Sequence, residues 1–114
     1  MTATTPIATE RRRSHRRQPA QGTICNLTSA AGAALGLGLV WNISQSGVSM
    51  LLGKAVDPGT ELKGELVAAD GHTSLGLGLR VAHLSKLETG DYFMGCQFDR
   101  HLSEQEMQPF VAEM

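Results

Sequence analysis

Alternating apolar and polar positions dominate the chain from residue 22 onward. Glu61-Leu62-Lys63-Gly64-Glu65-Leu66 sets Leu62, Gly64 and Leu66 against three charged neighbours, the two-residue period of a strand with one buried face. Thr23-Ile24-Cys25-Asn26-Leu27-Thr28 predicts an earlier strand; 37–44 predicts the next, and 48–52 resumes extended structure beyond the polar turn Ser44-Gln45-Ser46-Gly47. The Ala- and Gly-rich 29–36 stretch is expected to be a loop. Asp57-Pro58-Gly59 is the strongest turn signal, since Pro presets φ and Gly admits a positive one. Asp70-Gly71 turns the chain again, 75–84 is a further strand, 86–91 a polar connection and 92–98 a last strand. Only then does the period change. Ser103 and Glu106 form a capping-box pattern, and Met107, Phe110, Val111 and Met114 fall on one helical face, predicting a helix over 103–113. Five to seven short strands with one end helix predict an all-β fold with a C-terminal helix, a small antiparallel barrel or sandwich.

Composition narrows this picture. The 114 residues, 41% of them apolar, suit one domain with a modest core. Aromatic residues make up 4%, which leaves no stacking platform of the kind RNA readers use, so base stacking falls to Arg. Residues 1–10 are small, polar and without periodicity, and are expected to form a disordered tail before a folded part that starts near Arg11. Cys25 and Cys96 stand far apart within strands, outside any CxxC pattern, and read as buried free thiols. The sequons at Asn26 and Asn42 would suit a secreted glycoprotein, but residues 1–20 hold an Arg cluster in place of an apolar signal segment. The longest mostly apolar run, 30–40, is too short and Gly-interrupted to span a membrane. A cytoplasmic protein without membrane insertion is the expectation.

Several patterns fail as catalytic motifs. Between Gly47 and Gly53 lie five residues where a phosphate loop has four, and Ala55 stands where Ser or Thr would hold magnesium. The near copies Leu35-Gly36-Leu37-Gly38-Leu39 and Leu75-Gly76-Leu77-Gly78-Leu79 do not spell a dinucleotide fingerprint and read as Gly-containing strands. His15, His72, His83 and His101 are scattered, with no metal-ligand spacing. Neither an enzyme nor a metal protein is expected.

Two stretches remain. Arg11-Arg12-Arg13-Ser14-His15-Arg16-Arg17 concentrates five of ten basic residues, and Asn42-Ile43-Ser44-Gln45-Ser46-Gly47 has the form Asn-x-Ser-x-x-Gly. Arg forks grip phosphate oxygens in pairs and lie flat on purines, so the two stretches together describe an anion site. The tract could also be a solvated tail, a targeting peptide or a nucleic-acid arm. Residues 18–114, however, carry five basic and ten acidic groups, a field that repels a polyanion and leaves a compact ligand as the better fit.

Arg12-xxx-Arg16, or in a second register Arg13-xxx-Arg17, followed by Asn42-x-Ser44-x-x-Gly47, resembles the RxxxR and [D/N]xSxxG motifs of bacterial PilZ domains, receptors for cyclic di-GMP. The likeness runs over about residues 10–113. It takes in Val48-Ser49-Met50-Leu51 after the Gly, Asp57-Pro58-Gly59 before a charged strand, and Tyr92-Phe93-Met94-Gly95-Cys96-Gln97-Phe98 before the helix. The resemblance implies a split-barrel type domain over 11–114, with a flexible ligand-wrapping loop at 11–21, the barrel at 22–98 and the helix at 103–113. In such a domain Arg12 and Arg16 would hold phosphate and guanine, while Asn42, Ser44 and Gly47 form the opposing wall, Gly47 permitting a turn closed to residues with a Cβ. An Arg just before RxxxR, here Arg11 or Arg12, is associated with a stacked, intercalated dimer of the ligand. His83 would lie beside the second guanine, or would simply be a barrel-surface His. Arg17-Gln18-Pro19 stands where a hydrophobic strand start is common, which leaves both Arg registers open. The implied mechanism is ordering of the N-terminal loop, which changes a surface shown to a downstream protein. A barrel that binds protein alone, or an Arg arm on nucleic acid, is the competing class.

Overall fold

Burial in the computed structural model, which describes residues 17–112, follows the alternation most cleanly over 61–66. The strands are β1 (Ile24–Ser29), β2 (Ala34–Ile43), β3 (Gly47–Leu52), β4 (Glu61–Val67), β5 (Ser74–Lys86) and β6 (Tyr92–Phe98). In β4 Leu62, Gly64 and Leu66 are buried while Glu61, Lys63 and Glu65 face solvent. All neighbours are antiparallel, and the order β1-β2-β3-β6-β5-β4 closes on itself because β1 also pairs β4 from Ile24↔Val67 to Ser29↔Leu62. Closure leaves no sheet edge for another chain to extend.

Inward residues from all six strands, among them Leu27, Met50, Leu66, Val81 and Met94, fill the barrel and are nearly inaccessible. Gly64 makes room within this packing, since a Cβ there would meet Leu79 Cδ1 at 2.6 Å. Leu102, Met107, Phe110 and Val111 from the C-terminal segment extend the same core. At Asp57-Pro58-Gly59 the expected turn forms, with Gly59 at φ 90°.

The structure differs from expectation at two ends. The loop expected over 29–36 is a tight turn instead: Ser29 N–H donates to Ala33 O (2.8 Å), Ser29 Oγ accepts from Ala33 N–H (3.0 Å), and β2 begins at Ala34. The helix expected over 103–113 is a single α-turn, α1 (Glu104–Met107), followed by a 3-10 turn (Gln108–Phe110). Pro109 accounts for this, because it has no N–H for the carbonyl four residues back and its ring would crowd that carbonyl. The capping box is present: Ser103 Oγ accepts from Glu106 N–H, and the Glu106 carboxylate accepts from Ser103 N–H. Paired hydrogen bonds from Arg100 add to that contact and hold the Glu106 carboxyl down at about 2. Past the 3-10 turn, Val111 is extended (φ −117°, ψ 151°) and bridges Pro19.

Both Cys are free and face the barrel interior, and burial pushes each thiol up to about 12. A folded-state pKa above the unfolded value near 8.5 means that the folded chain holds more protons between those limits, so stability falls as pH rises through that window. Chemical denaturation at successive pH values above about 8.5 should show this decline, and Cys25→Ala/Cys96→Ala should flatten it.

Candidate functional site

The last residue of the arginine tract meets the Asn-x-Ser-x-x-Gly stretch. Arg17, the first described residue, forms an antiparallel bridge with Ile43: its N–H donates to Ile43 O (2.7 Å) and its carbonyl accepts from Ile43 N–H (3.0 Å). Ile43 lies between Asn42 and Ser44, so the end of the arginine tract is held against the Asn-x-Ser-x-x-Gly stretch. The Arg17 side chain turns to α1, where its guanidinium meets Glu104 Oε2 at 2.7 Å. This partly exposed pair contributes ~0–1 kcal/mol. Arg11, Arg12, Arg13 and Arg16 lie outside the described residues, as do the tail expected over 1–10 and most of the loop expected over 11–21.

Each described motif residue has a distinct role. Asn42 accepts a hydrogen bond at Oδ1 from Ser49 Oγ (2.8 Å), which orients its amide on the outer wall. Ser44 is 1% exposed, and its hydroxyl accepts from Ser46 N–H and Gly47 N–H, both at 3.2 Å. It therefore staples the turn, as a short hydroxyl side chain can do for the backbone two or three residues on. The turn is also tied to the chain leaving β6: Phe98 N–H donates to Ser46 O (2.8 Å) and Leu102 N–H to Gln45 O (2.9 Å). Gly47 does not have a left-handed φ. What excludes a side chain here is close approach, since a Cβ would run into the carbonyl oxygen of Cys96 on β6.

Two β-bulges shape the outer wall. Between Val40↔Met50 and Asn42↔Ser49 the register slips by one residue at Trp41, and between Val81↔Cys96 and His83↔Gly95 it slips at Ala82. Because Ser49 pairs Gly95, both slips fall at one level and create a lateral row, Asn42–Ser49–Gly95–His83, across β2, β3, β6 and β5. A bulge adds one residue without a partner, so two consecutive residues face the same way. Trp41 and Asn42 thus share the outer wall, as do Ala82 and His83.

The middle of this row is Ser49, 3% exposed, and Gly95, which has no side chain. The His83 ring lies over Gly95, where a Cβ would collide with it. Phe93 stacks on His83 (ring centroids 6.1 Å, 22°) and meets Trp41 edge-to-face (6.4 Å, 86°). Sequence motifs point to Asn42 and not to Trp41, Ser49, Phe93 or Gly95. The small residues interrupting apolar runs at Ser49 and Gly95 are the one available signal. Among the described residues no His, Cys, Asp and Glu cluster could hold a metal ion.

Gly47→Ala should destabilise the fold by about 1–3 kcal/mol, because the β3–β6 backbones must part to admit a methyl group. Urea unfolding measures this. A Gly47→Ala protein as stable as wild type would refute the close-approach account.

A PilZ domain family model matches residues 10–113. By sequence, no curated protein matches the chain. Among solved structures, the fold is similar to YcgR from Escherichia coli in complex with c-di-GMP, with TM-score 0.67 and 17% identity over 87% of this chain and 42% of that one. It is also similar to the MrkH–c-di-GMP complex of K. pneumonia (0.63, 18%, 86% and 48%). A third likeness is to the Bacillus subtilis inhibitor of motility MotI/DgrA (0.57, 12%, 85% and 47%). The chain spans less than half the length of each, and at these identities the likeness is one of fold. No described helix is long and apolar enough to cross a membrane. With the family model covering nearly the whole chain and the closed six-stranded barrel in place, this chain belongs to the PilZ domain family.

Proposed function

We propose that the domain is a receptor for cyclic di-GMP, clasped between the arginine tract and the outer wall around Asn42. The observation that carries this reading is the backbone bridge from Arg17 to Ile43, which roots the tract beside the Asn-x-Ser-x-x-Gly stretch. Family membership and the c-di-GMP complexes of YcgR and MrkH support the choice of ligand. In this reading Arg12 and Arg16 bind phosphate and guanine by charge-assisted hydrogen bonds and stacking. Asn42 presents its amide to the ligand, Ser44 and Gly47 hold the turn that shapes the wall, and His83 flanks a second guanine. Arg11 supports an intercalated ligand dimer.

The working pair in this proposal is Arg12 with Arg16. Arg17 is already engaged by Glu104, which argues against the register that needs it. Binding neutralises mutually repelling guanidinium groups and pins the N-terminal segment to the barrel, changing the surface offered to a downstream protein. No catalytic step is assigned, and the domain boundary at residue 11 is part of the same proposal.

Calorimetry with cyclic di-GMP should give saturable binding at about two ligands per chain, and Arg16→Ala should weaken it by ~1.5–3 kcal/mol while the melting temperature of the free domain is unchanged. Glu104→Gln, which frees Arg17, should leave the affinity as it is. A large gain would shift the assignment to Arg13 and Arg17. Cyclic di-GMP should raise the melting temperature where GTP and single-stranded RNA do not. Absence of heat at high micromolar ligand would sink the receptor reading.

A further inference from the structure

Trp41 is the sole tryptophan of the chain, and at 56% exposure it is the most exposed large apolar side chain of the barrel. Its position follows from the bulge. Without the register slip, Trp41 and Asn42 would face opposite sides of the sheet; with it, indole and amide stand side by side on the outer wall. Among the described residues the one ring contact of the indole is the edge-to-face one with Phe93, and more than half of the side chain is exposed.

The surroundings favour a flat partner. Ser49 is 3% exposed beneath its hydrogen bond to the Asn42 amide and Gly95 lies under the His83 ring, so the accessible wall here consists of Trp41, Asn42 and His83, with Phe93 in the neighbouring row between the two rings. An indole beside an amide offers both interactions that a purine needs, a face to stack on and an edge to hydrogen-bond. Leu37 and Leu39, also about half exposed, continue the apolar strip away from Asn42 and offer no polar group beside them on β2.

We infer that Trp41 is a base-stacking and specificity residue of the ligand site, taking one purine of the cyclic dinucleotide on the β2 side while His83 serves the β5 side. This rests on the receptor reading above and adds a contact that neither motif includes. It also makes base identity matter: the stack accepts any purine, and the neighbouring Asn42 amide selects among edges.

The single tryptophan makes the test direct. In the full chain, tryptophan emission is followed during titration with cyclic di-GMP, in parallel with calorimetry on the same samples. Quenching that saturates together with the heat is expected, because a guanine stacked on indole quenches it. Trp41→Ala should bind about 5- to 100-fold more weakly, with Trp41→Phe between it and wild type, and with melting temperatures of the free proteins unchanged. Heat release with Trp41→Ala affinity within about twofold of wild type overturns the inference, leaves the receptor reading standing and returns the strip to protein docking. Absence of both heat and quenching overturns the receptor reading, and this inference with it.

Discussion

Closure of the sheet by β1 against β4 is the constraint on which the rest of this domain depends. With both edges consumed, no strand can slide without breaking pairs on two sides, so register is set all round the barrel. Fixed register brings the bulges at Trp41 and Ala82 to one level, although two strands, β3 and β6, lie between the strands that carry them. An open sheet of the same strands could relax either bulge toward its end. In the closed one they are held, and the outer wall keeps a row whose ends carry Asn42 and His83 and whose middle is Ser49 and Gly95.

The Asn-x-Ser-x-x-Gly stretch divides its labour. Ser44 and Gly47 are buried, and their chemistry is spent on the backbone: one hydroxyl accepts two turn N–H groups, and one missing side chain lets β3 approach β6. Asn42 stands on the wall with its amide oriented by Ser49. In the proposed receptor, loss of binding on replacing Ser44 or Gly47 would therefore report on wall shape, and loss on replacing Asn42 on contact. A three-residue motif of this kind reads as one site in sequence while serving two physical purposes.

Much of the barrel was legible because its causes are local. Leu62, Gly64 and Leu66 alternate with charge, and β4 forms where that pattern lies; Asp57-Pro58-Gly59 turns the chain where its φ preferences require. The C-terminal helix was overread, since Met107, Phe110 and Val111 do bury themselves but do so across an α-turn, a 3-10 turn and an extended residue separated by Pro109. The spacing of apolar residues alone did not register the missing N–H. Asn42, Ser44, Gly47 and His83 could be named from sequence, yet the row joining Asn42 to His83 could not. A bulge is a property of two paired strands, and neither Trp41 nor Ala82 carries a mark of it in its own neighbourhood.

The C-terminal segment has a mechanical consequence. Pro19 bridges Val111, Ala20 N–H donates to Phe110 O, and Ala112 N–H donates to Gln18 O, so the two ends of the described chain are laced together within a few residues of Arg17 and Ile43. They form a small frame that shares the Arg17–Glu104 pair with α1. A pull on residue 17 and a pull on residue 112 load neighbouring hydrogen bonds in that frame. An attachment placed at either end would thus be felt at the other, and the frame sits at the rim of the wall that carries Asn42.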